Sequence, residues 1–310
     1  MQKKRWLKWS LISVVVLVVV VIFGATTYMY QYAFVPGQKS FLNSGQPSKV
    51  YQDNQRWLKT VKQEKWQQQS ATDHLKLMAI YVPAAKPTNK TILVAHGYMG
   101  KKEDMARYIH LYHGLGYNVL APDDRAAGES EGNAIGYGWP DRLDYVKWAK
   151  KIVAKNGQDS QIALFGVSMG GATVMFTAGE KLPKQVKAVI EDCGYNSIGD
   201  ELAYQLKDLF GLPKFPLFYT TNWMARIRAG YNFNDGDTAK SLAQSKLPIF
   251  MIHGDQDKFV PTKMVYTNYK AAKAPKQLWV VPGAAHGEAL DKQPTTYRKK
   301  VAQFLNKYFQ

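Results

Sequence analysis

The sequence predicts an α/β protein in which a mainly parallel central sheet carries helices on both faces, with an inserted helical cap and one apolar helix ahead of the domain. Three observations lead to this class. Short apolar runs alternate with helical patterns along residues 66–310, an aromatic-rich stretch interrupts the alternation, and a charge-free run lies near the N-terminus. With 310 residues, 46% of them hydrophobic, the chain can build a large core, which excludes wholesale disorder.

The alternation consists of apolar runs bounded by glycine, proline or charge, which are typical of strands buried on both faces. The predicted strands are residues 74–82, 91–95, 118–121, 161–165, 186–190, 247–252 and 277–281. Helical patterns lie at residues 102–115, 139–155, 169–181, 261–273 and 295–309. Strands that alternate with helices predict a mainly parallel sheet covered on both sides.

Residues 195–246 break this rhythm because they are too long for a plain crossover between two strands. They are rich in aromatic residues and leucine, which favours packed helices over an open loop. The sequence therefore predicts an inserted cap at about these positions, within a domain of residues 66–310.

Residues 9–30 carry no charge and include seven valines between Val14 and Val21. As a helix, they would span roughly 33 Å, against a hydrocarbon core of about 30 Å. Aromatic residues at both ends are typical of the two membrane interfaces; they are Trp6, Trp9, Tyr28, Tyr30 and Tyr32. We therefore expect a single-pass transmembrane anchor at residues 9–30.

The flank at residues 1–8 sets the expected orientation of this anchor. Its basic residues are Lys3, Lys4, Arg5 and Lys8. A basic flank predicts a cytoplasmic N-terminus and an extracellular domain on the cell membrane. A cleaved signal peptide is the competing interpretation, although residues 23–27 offer only a poor cleavage site.

Residues 31–65 carry weaker signals between the anchor and the domain. Turn-forming residues at 36–37 and 43–47 are typical of a tether, and a helical pattern follows at residues 50–65. We expect a tether and a leading helix here.

The segment Gly166–Val167–Ser168–Met169–Gly170 matches G-x-S-x-G and lies between a predicted strand and a predicted helix. The turn in that context is so tight that the neighbours of the serine must be small. The serine oxygen is then exposed at the carboxyl end of the sheet. The pattern predicts Ser168 as the nucleophile of an acyl-transfer reaction.

A nucleophilic serine needs a base and an acid that orients the base. Only His253 and His286 follow Ser168 in the chain. We predict His286 as the base because it follows the last strand among small residues, and we expect His253 to shape a turn at its strand end. Asp255 and Asp257 compete as the acid. We favour Asp257, which lies deeper in the loop, and expect Asp255 to brace the turn.

Two backbone amides are the predicted donors to the oxyanion. The N–H of Met169 lies at a helix N-terminus, where the first amides have no partner within the helix. The second donor is expected in the loop His96–Gly97–Tyr98–Met99–Gly100, with the N–H of Tyr98 facing the site. A glycine-containing turn without a catalytic part is the alternative for this loop.

Other chemistries find little support in the sequence. The one cysteine, Cys193, excludes an intramolecular disulfide framework and a cysteine-based metal site, and its position at a strand end predicts a buried thiol. The sequence contains no phosphate-binding glycine loop and no nucleic-acid recognition motif. We expect neither a metal nor an organic cofactor.

The formal net charge of +17 comes from 41 Lys and Arg against 24 Asp and Glu. Four of the basic residues lie in the flank of the anchor, so a strongly positive charge remains on the domain. For an exported domain, this charge predicts contact with anionic envelope polymers or lipid headgroups rather than with nucleic acid. Basic runs such as Lys101–Lys102 and Lys150–Lys151 are expected at solvated helix ends.

These motifs resemble the α/β-hydrolase superfamily, and more closely the membrane-anchored cell-surface serine hydrolases of lactic acid bacteria and bacilli. The resemblance covers residues 65–310. It rests on the His-Gly pair at His96, the G-x-S-x-G segment, the pattern H-G-x-x-D-x-x-V-P beginning at His253, and the late His286.

The segment Pro122–Asp123–Asp124–Arg125–Ala126–Ala127–Gly128–Glu129–Ser130 is similar to the D-x-R-G-x-G-x-S loop of the superfamily, with alanines in place of the usual Gly-His. The resemblance implies a structural role for Asp123, Arg125 and Ser130. The two alanines leave the detailed contacts of the loop open.

Motif and resemblance together predict a serine hydrolase that cleaves carboxylic esters through an acyl-enzyme on Ser168. The aromatic cap favours apolar acyl groups, as in a carboxylesterase or a lipase. A serine peptidase of the aminopeptidase or prolyl-oligopeptidase type would use the same three residues and is the first alternative. A non-catalytic surface protein that binds anionic envelope material is the second.

Overall fold

The computed structural model describes residues 2–37 and 48–309. The predicted turn at residues 43–47 lies outside the described residues. The helices are α1 (Gln2–Phe34), α2 (Lys49–Thr60), α3 (Ala106–His113), α4 (Asp141–Asn156), α5 (Met169–Ala178), α6 (Ile198–Phe210), α7 (Leu217–Arg228), α8 (Thr238–Gln244), α9 (Lys263–Ala271), α10 (Ala289–Lys292) and α11 (Pro294–Tyr308). The strands are β1 (Glu64–Gln69), β2 (Lys76–Val82), β3 (Lys90–Ala95), β4 (Asn118–Pro122), β5 (Gln161–Val167), β6 (Val186–Asp192), β7 (Ile249–Gly254) and β8 (Lys276–Val281).

The strands form one sheet in the order β1-β2-β4-β3-β5-β6-β7-β8. Strand β2 is antiparallel to its neighbours β1 and β4, and every pair from β4 to β8 is parallel. The predicted mainly parallel sheet is therefore confirmed. Because the parallel strands end at one edge, the loops that follow β3, β5, β7 and β8 meet there.

Strand β1 is absent from the sequence prediction, which assigned residues 50–65 to one helix. The helix ends at Thr60, and an edge strand begins at Glu64. Only Trp66 in this strand is buried, where it stacks on Tyr81 of β2. A polar edge strand with one buried residue lacks the apolar run by which the other strands are recognised.

Helices cover both faces of the sheet, as predicted. On one face, α3 and α11 pack against the strands through residues such as Tyr112 and Val301. On the other face, α4, α5 and α9 enclose a second core with Trp148 and Val174. Both cores are continuous across the parallel strands, so the sheet is a rigid platform for the loops at its carboxyl edge.

A third apolar cluster lies above that edge, between the sheet and the inserted helices. It joins Met169 at the start of α5, Phe233 and Met224 of the inserted segment, and Tyr30 and Phe34 of α1. The predicted cap consists of α6 and α7, whereas α8 returns to pack beside α5 and α9.

Helix α1 continues beyond the predicted end of the anchor at residue 30. It has 33 residues, or roughly 50 Å at 1.5 Å per residue. The valines between Val14 and Val21 are each at least 50% exposed, whereas Tyr30 and Phe34 are buried against the domain. Residues 31–34, predicted as the start of the tether, are therefore helical, because apolar packing holds the last helical turn against the domain.

A buried ion pair fixes the loop after β4. The ammonium of Lys102 donates to the Asp123 carboxylate at 2.6 Å and lies 2.8 Å from Glu129. Lys102 is 1% exposed and Asp123 is fully buried. The prediction of a solvated lysine is wrong here, because Asp123 needs an opposite charge inside the fold.

Replacing Lys102 with Met should lower the free energy of unfolding by about 3–5 kcal/mol, because the Asp123 carboxylate would stay buried without its partner. Chemical denaturation measures this loss. Lys150→Met, at an exposed position of α4, is the matched control and should stay within about 0.5 kcal/mol of the parent. Equal effects of the two substitutions would contradict the structural role of the pair.

Candidate active site

Three side chains predicted from the sequence meet at the carboxyl edge of the sheet. Ser168 lies between β5 and α5, Asp257 follows β7, and His286 follows β8. The Nε2 atom of His286 lies 2.8 Å from the Ser168 hydroxyl, and its Nδ1 atom lies 2.8 Å from the Asp257 carboxylate. The chain thus brings together residues that are far apart in sequence.

The turn at Ser168 is the most constrained backbone position of the site. Ser168 has φ 58° and ψ −122°, a conformation that L-residues rarely adopt. A Cβ at Gly166 would collide with the carbonyl oxygen of Gly170, and a Cβ at Gly170 would collide with that of Ala95. The two glycines therefore allow α5 to start directly above β3 and β5, as the motif predicts.

Both oxygens of the Asp257 carboxylate are held by hydrogen bonds. One oxygen accepts the amides of Phe259 and Val260, each at 2.9 Å, and the other faces His286. Burial alone would raise the pKa of Asp257, but hydrogen bonds and charge from His253 and His286 lower it to about 2. The carboxylate is therefore ionised and can only accept, which puts the proton of neutral His286 on Nδ1 and leaves Nε2 free to accept from Ser168.

The residues that competed for these positions have other contacts. Asp255 accepts the amide of Gly283 at 2.7 Å and so joins the loops after β7 and β8. His253 is fully buried beneath the site, with Nε2 2.9 Å from the Val260 carbonyl and 3.3 Å from Asp257. Its ring therefore holds the Asp257 loop, whereas the ring that bonds the Ser168 hydroxyl is that of His286.

The two predicted oxyanion donors lie beside the serine. Met169 is the first residue of α5, so its N–H has no partner within the helix. Tyr98 follows Gly97, whose Cα faces the Ser168 side chain, and both Tyr98 and Met169 line the pocket that contains Ser168. The loop is held by His96, whose Nε2 accepts the amide of Asp124 at 3.0 Å.

The pocket above Ser168 is apolar, and about 830 Å³ of empty space lies between its walls and in the solvent-filled mouth. Its walls come from the sheet edge, from α6 and α7, and from the end of α1. Residues from these helices include Met29, Tyr32, Leu206, Phe210, Leu217 and Phe218.

The contribution of α1 is a feature that the sequence did not predict. The carbonyl of Ala33 accepts hydrogen bonds from the hydroxyls of Tyr98 at 2.8 Å and Tyr137 at 2.9 Å, and the carbonyl of Phe34 accepts the amide of Ile135 at 2.8 Å. Carbonyls in the last turn of a helix have no partner within it, so these bonds dock the helix end on the domain.

One buried acid, Glu201 of α6, lies in the wall of this otherwise apolar pocket. One of its oxygens accepts from Gln205 at 2.8 Å, and the other has no partner among the described residues. Burial raises the pKa of Glu201 to about 8, so the side chain is neutral at physiological pH. The sequence offered no signal for this residue beyond its place in the cap.

Cys193 lies fully buried next to the site, where its sulfur is within 4.8 Å of ligand atoms of Asp257 and His286. Burial raises the pKa of its thiol well above the usual range, so the group is neither a thiolate nucleophile nor a charged metal ligand. Asp257 and His286 already bond each other, which leaves this trio without a free set of donors.

Comparisons with known proteins agree with this fold. The family model described as the alpha/beta hydrolase fold matches residues 90–223, which include the Ser168 turn and the start of the cap. Among curated relatives, the uncharacterized protein YqkD of Bacillus subtilis is 29% identical over 226 residues, covering 73% of this chain and 74% of YqkD.

Solved structures show the same fold. The esterase Pf2001 of Pyrococcus furiosus aligns with a TM-score of 0.66 at 22% identity, over 89% of this chain and 100% of the esterase. An acylaminoacyl peptidase of Pyrococcus horikoshii aligns with a TM-score of 0.60 at 16% identity, over 84% of this chain and 44% of the peptidase. At these identities, the similarity concerns the fold alone.

We expect Gly166→Ala to destabilise the protein by at least about 1–3 kcal/mol, because its new Cβ overlaps the Gly170 carbonyl in a turn that cannot widen. Thermal or chemical unfolding gives the difference. The control is Gly199→Ala, where the nearest atom to a new Cβ is 3.5 Å away. A Gly166→Ala variant as stable as this control would refute the packing argument.

Proposed function

We propose that this chain is a serine hydrolase of the α/β-hydrolase superfamily that cleaves carboxylic esters through an acyl-enzyme on Ser168. The observation that carries the proposal is the hydrogen-bonded chain from Asp257 through His286 to Ser168, which opens into an apolar pocket. A preference for apolar acyl groups follows, because the pocket walls are mostly aromatic and aliphatic.

In the proposed mechanism, the Ser168 oxygen attacks the ester carbonyl while His286 Nε2 takes the hydroxyl proton. Asp257 stays ionised and stabilises the imidazolium that forms. The amides of Tyr98 and Met169 donate to the oxyanion of the tetrahedral intermediate. His286 returns the proton to the leaving alcohol, and the same groups then activate water to hydrolyse the acyl-enzyme.

We propose further that α1 is an uncleaved single-pass anchor in the cell membrane, with the N-terminus cytoplasmic and the domain outside. Its exposed valine run favours a lipid environment over a protein core, and the basic flank favours a cytoplasmic N-terminus. The positive charge of the domain then fits anionic envelope polymers as a partner.

Ser168→Ala should abolish both ester hydrolysis and labelling by a fluorophosphonate probe, because the Ser168 oxygen is the atom that carries the acyl group in the proposed mechanism. The substrate panel should contain esters of graded chain length and peptide amides. Preference for amides with a free N-terminus would reassign the protein as a peptidase. A parent protein that the probe does not label would favour the non-catalytic alternative.

Asp257→Asn should lower kcat by a factor on the order of 10⁴, because an amide cannot hold the required tautomer of His286. Asp255→Asn is the matched control, since Asp255 faces Gly283 and not the imidazole, and it should keep most of the activity. The ratio of the two kcat values for one short-chain ester is the measurement. A larger loss for Asp255→Asn would transfer the acidic role to that residue.

Ionisation of Glu201 should weaken binding of apolar acyl chains in alkaline solution. Its raised pKa of about 8 keeps the side chain neutral below that pH, and a charge enters the pocket wall above it. KM for a long-chain ester should therefore rise several-fold from about pH 8 to pH 9, while KM for an acetate ester stays constant. Glu201→Gln should abolish the rise; the same rise in that variant would exclude Glu201 as its cause.

A further inference from the structure

We propose that the active site takes its substrate from the membrane, as a long-chain acyl ester that resides in the outer leaflet, and that the outer face of α7 rests in the lipid headgroup region. This inference rests on the proposed ester hydrolysis at Ser168 and adds to it the source of the substrate. Four observations carry it: an apolar stripe on α7, the contact of α7 with α1, the height of the pocket above the membrane span, and the local charge.

The outer face of α7 exposes large apolar residues at four-residue intervals. Phe215 precedes the helix, and one turn separates each of the next three; the exposed fractions are 76% for Phe215, 56% for Tyr219, 64% for Trp223 and 62% for Ile227. The opposite face of α7 is buried or lines the pocket, through Leu217, Phe218, Thr221, Met224 and Ala225. Such a stripe marks an interaction surface, because single exposed apolar residues are common but aligned rows are not.

Contact with α1 places this stripe beside the apolar span. Thr26 and Thr220 share a hydrogen bond of 2.6 Å, and the Arg228 guanidinium lies 5.4 Å from the ring of Tyr30. Thr26 precedes Tyr30 in α1, and Thr220 precedes Arg228 in α7, so the two helices run in the same direction along this contact. The start of α7, with Phe215 and Tyr219, is its end nearer the valine run.

The height of the pocket follows from the helix rise. Tyr28 is exposed beyond the valine run, where an interfacial aromatic residue is expected. From Tyr28 to Phe34, which lines the pocket, α1 advances by only about 9 Å. A headgroup layer adds roughly 5–8 Å on each side of the hydrocarbon core, so the pocket lies at the membrane surface and not far above it.

The charge around the stripe suits an anionic membrane. Residues 211–230 contain the cations Lys214, Arg226 and Arg228 and no acid. The neighbouring helix α6 carries Lys207 against Asp200, Glu201 and Asp208, so the positive charge belongs to α7 and the loop before it. Cations beside an apolar surface are attracted by an anionic leaflet, which stabilises binding by about 1 kcal/mol for each Lys or Arg near the membrane surface.

The test compares one soluble and one membrane-resident ester with the full chain reconstituted in phosphatidylglycerol vesicles. The probes are 4-nitrophenyl acetate in the buffer and 4-nitrophenyl palmitate dissolved in the vesicles. The variant is Tyr219→Ser with Trp223→Ser, which leaves the pocket lining intact. Tyr266→Ser, at an exposed aromatic residue of α9, is the matched control.

We expect the double variant to lose at least about tenfold in palmitate hydrolysis, because α7 no longer holds the pocket mouth in the interface. Acetate hydrolysis should stay within about twofold of the parent, which also shows that the variant is folded. The Tyr266→Ser control should resemble the parent with both esters. Lipids brominated on the acyl chain should quench the tryptophan fluorescence of the parent more strongly than that of Trp223→Phe, because Trp223 contacts the bilayer.

Palmitate hydrolysis that is unaffected by the double variant, or an equal loss with both esters, would overturn the inference while leaving ester hydrolysis intact. Equal quenching of the parent and Trp223→Phe would overturn the placement of α7 in the interface. Failure of the parent on acetate as well would instead reject the proposed esterase function, from which this inference starts.

Discussion

The turn between β5 and α5 leaves Ser168 with φ 58° and no room for a side chain at Gly166 or Gly170. This one constraint sets the geometry of the rest of the site. It brings the first turn of α5 against the end of β3, which places Met169 and the Tyr98 loop on either side of the serine. It also raises the hydroxyl above the sheet edge, where the loops after β7 and β8 can reach it.

The loops around this turn are fixed by buried polar contacts. Lys102 and Asp123 hold the segment after β4, and the amide of Asp124 in that segment donates to His96, at the base of the oxyanion loop. The alanines that replace Gly-His lie beyond these contacts, so the departure from the superfamily pattern leaves the support of His96 in place. Burying the Lys102–Asp123 ion pair costs desolvation free energy, but its hydrogen bonds hold the loop after β4 in one conformation.

The long N-terminal helix joins two environments in one element. Its valine run has no partner among residues 2–37 and 48–309, whereas its last turn is buried and closes one side of the pocket. A flexible linker would have uncoupled the domain from the helix. Here, the hydroxyls of Tyr98 and Tyr137, two residues that line the pocket with Ser168, donate to the carbonyl of Ala33, so the orientation of the helix is linked to that of the site.

The sequence alone determined the sheet class, the Ser168 turn and the positions of His286 and Asp257, because each depends on local spacing: apolar runs, small residues around one serine, and polar residues directly after strands. Tertiary structure decided what depends on partners distant in the chain. Strand β1 pairs through its backbone, Lys102 is buried by Asp123, Glu201 becomes neutral inside the cap, and α1 completes the pocket. In each case, the deciding term is the desolvation or packing of one group against another, which no local pattern encodes.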